Sequence, residues 1–136
     1  MKYFLDTEFI EDGRTIDLIS IGIVAEDGRE LYLQSADFDP FKASKWVIEN
    51  VFPHLKKCST DWPMSGPHHV FGQCSRPDCA WRRHYQIALE VAIFMDPGKY
   101  GIPELIGYYS AYDHVAFCQL MPMLCKDWQR TIRSNP

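Results

Sequence analysis

The residues best placed to do chemistry are Asp6 and Glu8, set in the middle of the apolar stretch Lys2-Tyr-Phe-Leu-Asp-Thr-Glu-Phe-Ile10. Such a stretch reads as a β-strand. Side chains alternate along a strand with a period of two, so the two carboxylates point to one face. Like charges that close repel unless something positive lies between them. A hard divalent cation such as Mg²⁺ answers that need, because it takes carboxylate and phosphate oxygens alike. On these residues alone a half-exposed strand whose acids face water is the competing reading, and only their neighbours decide.

The elements that must position these acids follow from the rest of the chain. Asp12-Gly13 and Asp27-Gly28 are hairpin turns, since Asp-Gly supplies the positive φ such turns need. Between and after them, Thr15 to Ala25 and Arg29 to Gln34 read as second and third strands, giving a three-stranded antiparallel meander. Asp39-Pro40 reads as an N-cap with proline at the first helical position. It opens a helical segment with Phe41, Trp46 or Val47, and Val51 at helical spacing, closed by Pro53. From Lys56 to Pro77 the pattern loses its period and gathers Pro, Gly, Ser, His and Cys; residues 56–80 are expected to be a loop or insertion. A helix is predicted over 80–96, with Trp81, Tyr85, Ala88, Leu89, Ala92 and Ile93 on its apolar face. Residues 104–111 read as a further strand, parallel to the first because a helix carries the chain across. Asp113 stands where that strand gives way to a last helix with apolar Val115, Leu120 and Leu124, bent or shortened by Pro122.

The order β-β-β-α-loop-α-β-α is an α/β plan: a mixed sheet with an antiparallel meander plus parallel strand, flanked by helices. It is the plan of the ribonuclease H-like fold. There the end of the fourth strand lies beside the centre of the first, which brings Asp113 towards Asp6 and Glu8. Three convergent carboxylates suit two-metal phosphoryl transfer, with ions about 3.5–4 Å apart serving the attacking water and the leaving oxygen. Such sites also need a fourth carboxylate and a general base.

Length and composition set the bounds. With 136 residues, 46% of them hydrophobic, the chain suits one domain over 1–136 with its own core. Its net charge of −4, without a basic block, argues against gripping nucleic acid by charge alone. It leaves room for an enzyme whose metal ions supply the positive field. No secretory signal is visible, and no apolar run approaches the roughly 18 residues of a membrane helix. The odd set Cys58, Cys74, Cys79, Cys118 and Cys125 fits reduced thiols, so a cytoplasmic protein is expected.

Three blocks in order carry a resemblance: Phe4-Leu-Asp-Thr-Glu-Phe-Ile-Glu-Asp-Gly13, Leu18-Ile-Ser-Ile-Gly22, and Ala111-Tyr-Asp-His-Val-Ala116 followed by Cys118-Gln-Leu120. Together they resemble the DEDD superfamily of 3′–5′ exonucleases. The closer likeness is to the bacterial and phage polyadenylate-specific 3′-exoribonuclease family. The resemblance implies that Asp6, Glu8 and Asp113 are catalytic and bind metal, Mg²⁺ or Mn²⁺, two per site, with Glu8 also holding the nucleophilic water. It implies that Thr7 and Phe9 contact the terminal nucleotide. The substrate would be the 3′ end of single-stranded, adenine-rich RNA, the product a 5′-nucleotide, and the protein a homodimer. The family's third motif, a histidine followed by an aspartate on a later helix, finds no counterpart before Pro136. Asp127 lacks a histidine at the right distance, and His114 directly follows Asp113. The chain as written is therefore expected to be C-terminally short and weakly active by itself. The alternatives are a catalytically impaired relative that binds RNA or protein, and a DNA exonuclease.

Two other groups invite weighing. His68, His69, Cys74 and Cys79, with Cys58 or His84 nearby, are zinc-ligand types, but the spacing is looser than in zinc knuckles and structural Zn²⁺ is not expected. The basic residues, Arg82 and Arg83 and the tail arginines among them, are scattered, and only as candidates do those two meet phosphates. Trp46, Trp81 and Tyr85 are expected in the core on helix faces, so no base-stacking residue is singled out.

Overall fold

The two Asp-Gly turns form as their chemistry requires. Gly13 and Gly28 take φ of +84° and +91°, a region that a Cβ disfavours. At the first turn the Asp12 carboxylate accepts from the backbone N–H groups of Arg14 and Thr15 at 2.8 and 2.7 Å. The turns join β1 (Lys2–Glu11), β2 (Ile16–Ala25) and β3 (Glu30–Ser35) into the expected antiparallel meander. The computed structural model describes residues 1–57, 78–107 and 111–121.

After β3, Asp39 caps a 3₁₀ turn (Pro40–Lys42) by accepting from the Phe41 N–H, as an Asp-Pro pair should. Ser44 caps the short helix α1 (Lys45–Asn50), and a second 3₁₀ turn spans Phe52–His54. Then come β4 (Trp81–Arg82), α2 (His84–Phe94), α3 (Pro97–Tyr100), β5 (Glu104–Ile106) and α4 (Ala111–Leu120). The five strands form one mixed sheet in the order β4-β3-β2-β1-β5, with β5 parallel to β1 and β4 parallel to β3.

Each face of the sheet has its own apolar cluster. On one face Tyr3, Leu5, Ile21, Ile23 and Leu33 pack with Ile87 and Val91 of α2 and with Phe117 and Leu120 of α4. Full burial of an aliphatic or aromatic side chain of this kind contributes about 1.5–3 kcal/mol, so this layer fixes where α4 can sit. On the other face Ile10 and Ile19 pack with Phe38, Val47, Val51 and Trp81. That second cluster covers one end of the sheet. Phe4 and Val24, paired across β1 and β2, stay exposed on it.

Five expectations need correcting. The predicted helix over 80–96 starts later, because Trp81 and Arg82 pair with Gln34 and Ser35 as an edge strand. Its buried face is Ile87 and Val91, while Tyr85, Leu89 and Ile93 are exposed. The helix is apolar on nearly every side, so spacing alone could not say which stripe turns inward. Trp46 is also exposed, whereas Trp81 is buried as expected. Of the strand expected over 104–111 the described residues show Glu104–Ile106, 108–110 lie outside them, and Ala111 already belongs to α4. Arg82 bonds Glu90 at 3.0 Å and Arg83 bonds Asp37 at 3.0 Å, so both meet internal partners. Most of the 56–80 loop, Pro122, Leu124, Asp127 and the tail arginines lie outside the described residues, as do Cys58, His68, His69 and Cys74.

Candidate active site

Among the described residues β5 pairs with β1 from Lys2 to Phe4, and the backbone groups further along β1 also need partners. Asp113, in the first turn of α4, meets β1 at Thr7. Its Oδ1 accepts from the Thr7 backbone N–H at 2.9 Å and from the Thr7 hydroxyl. Both residues are buried. A carboxylate at the first turn of a helix is also favoured by the helix dipole. Thr7, expected to face a nucleotide, here spends both of its donors on orienting Asp113.

Asp6 and Glu8 flank Thr7 on the opposite face of β1, as the period-two argument requires. Between Glu8 and Phe9 the register with β2 shifts, and β2 carries one extra residue. The extra residue puts Ile19 and Ser20 on the face of the acids, Ile19 in the second cluster and Ser20 beside Asp6 and Glu8. A bulge of this kind commonly re-aims side chains next to a site.

All three acids line one pocket of about 380 Å³, together with Thr7, Phe9, Glu11, Ser44, Trp46, Val47 and Tyr112. Burial pushes the Asp6 carboxyl above its ordinary range, and the Asp113 charge adds to that, against a hydrogen bond from the Thr7 backbone. Burial likewise raises Glu8, followed by the charges of Asp6 and Asp113. The three carboxylates therefore sense one another across residues more than a hundred positions apart. They are not yet gathered tightly: among the described residues no three His, Cys, Asp or Glu side chains form a group poised to hold a metal ion. The donor set is nonetheless all hard oxygen, and its mutual repulsion is what a cation would relieve.

The aromatic wall of the pocket was only partly visible from sequence. Phe9 stacks on Tyr112 with ring centroids 5.6 Å apart and planes 26° from parallel. Trp46 faces them from α1, with 64% of its surface exposed. Glu11 is a further acid on the same pocket that the spacing argument passed over. The signal available for it was its place on β1, beyond the point where the strand leaves the core.

A second pocket of about 310 Å³ opens on the other side of the acid pair. It is lined by Asp6 and Glu8 again, with Ser20, Gly22, Tyr32, Asn50, Val51, His54 and Leu55. Burial pushes the Tyr32 hydroxyl up; a bond to Ser20 opposes this, and the Glu8 charge reinforces it.

No helix among the described residues is long and apolar enough to cross a membrane. No protein-family model matches the chain. Two curated proteins of Mycobacterium tuberculosis named 3′–5′ exoribonuclease do, one from strain CDC 1551 / Oshkosh and one from strain ATCC 25618 / H37Rv. Each is 44% identical over 120 residues, which is 88% of this chain. The chain spans 61% of the length of these relatives, and over that span it is similar to 3′–5′ exoribonucleases.

Proposed function

We propose that this chain carries the catalytic acids of a metal-dependent 3′–5′ exoribonuclease of the ribonuclease H-like fold, acting on single-stranded RNA. The observation that carries the reading is the meeting of Asp6 and Glu8 from β1 with Asp113 from α4 in one pocket. The mixed sheet and the similarity to named exoribonucleases support it. Adenine-rich RNA as the substrate and a homodimer as the assembly follow from the sequence resemblance.

Asp6, Glu8 and Asp113 would hold Mg²⁺ or Mn²⁺, whose bound form supplies a water of lowered pKa and neutralises charge on the phosphate. The chain's own residues do the positioning. Thr7 leaves Asp113 one carboxylate oxygen free of its clamp. Phe9, Tyr112 and Trp46 offer flat apolar surface to a splayed base, which is how single strands are commonly held.

A catalytically lapsed relative that binds RNA or a protein is the second reading, favoured by the absence of a preassembled metal group among the described residues. Two measurements separate them. Mn²⁺ titrated into the protein should bind, and Asp113→Asn should weaken that binding. A 5′-labelled single-stranded RNA should shorten from its 3′ end, however slowly, with Mn²⁺ or Mg²⁺ and not with EDTA. A matched DNA strand degraded faster would move the reading to a DNA exonuclease. Wild-type protein that neither binds Mn²⁺ nor shortens RNA leaves the binding module standing.

A further inference from the structure

A phosphodiester has a nucleoside on each side, so a site that cleaves one must leave room on both sides of its acids. The structure has that form. Two pockets share Asp6 and Glu8, and α1 divides them: Trp46 and Val47 line the first, Asn50 the second. The first holds Asp113 and the aromatic wall. The second has the acids on one side and Ser20, Tyr32, Asn50 and His54 on the others. At its rim the Lys56 ammonium stands over the Tyr32 ring, 4.9 Å from the centroid.

We propose that this second groove is a subsite for the RNA nucleotide preceding the scissile bond, with Lys56 and His54 on its sugar-phosphate. The inference rests on the exoribonuclease reading and adds to it the path of the strand. The charge pattern supports it, since Asp6 and Glu8 alone would repel a polyanion, and cationic Lys56 lies over Tyr32, which lines the same groove. The anchoring of Lys56 supports it as well. Its backbone N–H donates to the buried Gln34 side chain at 2.7 Å, and its carbonyl accepts from Gln34 Nε2 and Trp81 Nε1, each at 3.0 Å. The side chain of Lys56 takes no part in those bonds. It is held at the rim by its backbone, and among the described residues its ammonium meets only the Tyr32 ring.

The test uses the full chain, Ca²⁺ in place of a catalytic metal, and a 5′-fluorescein-labelled RNA octanucleotide followed by anisotropy over a salt series. AMP serves as the competitor that represents one nucleotide only. Lys56→Gln removes the charge from a side chain one atom shorter and keeps all the backbone bonds. It should flatten the dependence of log affinity on log salt by about 0.7, one phosphate contact on a single strand. His54→Ala and Lys56→Gln should each weaken the octanucleotide by a larger factor than AMP. An unchanged salt slope, or equal losses for octanucleotide and AMP, overturns the subsite while leaving the nuclease reading in place. Wild-type protein that binds neither ligand overturns both, and that outcome is plain before any variant is made.

Discussion

Thr7 sits between the two acids of β1, yet it works on the third. Its N–H and hydroxyl both donate to Asp113, which makes it an outer partner of the carboxylate proposed to bind metal. Losing such partners typically lowers metal affinity or activity by about 10–100-fold. Thr7→Val keeps the volume and removes the hydroxyl, and a loss of that order in Mn²⁺ affinity is expected. Thr7→Ser should restore most of it. If Thr7 only filled space, Thr7→Val would move the melting temperature and leave the Mn²⁺ titration alone. The convergence of the three acids was legible in the sequence because strand periodicity is local, and a sheet plan sufficed to bring Asp113 to Asp6 and Glu8. Trp46, Tyr112 and His54 were not. Which way a residue on a six-residue helix or a 3₁₀ turn faces is decided by packing against distant strands, and no local period records it.

The same limit shaped the elements. The meander was readable because Asp-Gly turns and β-branched runs are local signals. β4 was missed because a two-residue edge strand has no periodicity and exists only through its pairing with β3. The stripe of α2 that turns inward was misjudged because nearly all of its stripes are apolar. What holds β3 to its surroundings is polar and equally unreadable in advance. Gln34 is fully buried, and its side chain both donates to and accepts from the Lys56 backbone while accepting from the Tyr32 hydroxyl at 2.9 Å. Gln34→Leu would strip partners from Lys56 and Tyr32. Leaving a buried polar group unsatisfied costs about 1–3 kcal/mol, so urea unfolding of Gln34→Leu should show a loss of at least that size. A neutral result would mean that water replaces the amide.

For the molecule as a whole, the three-acid pocket sets stability against chemistry. Asp6 and Glu8 have raised pKa values, so the folded chain holds their protons more tightly than the unfolded chain does. Between the ordinary values, 3.8 for Asp6 and 4.5 for Glu8, and the raised ones, stability therefore falls as pH rises. Above that window the full cost of three mutually repelling charges is present. Metal-free protein should accordingly melt higher at mildly acidic than at neutral pH. Glu8→Gln should melt higher than wild type at neutral pH in EDTA, because one of the repelling charges is gone. A cation reverses the ranking. An ion that binds only the folded state adds RT ln(1 + [L]/Kd), about 2.7 kcal/mol at a hundred times Kd, and it binds where the carboxylates are ionised. Saturating Mg²⁺ or Mn²⁺ should raise the wild-type melting temperature by several degrees and move Glu8→Gln much less, so that the two curves cross on adding metal. Parallel shifts in wild type and variant would mean that the ion binds elsewhere, and that the strain among Asp6, Glu8 and Asp113 serves no metal.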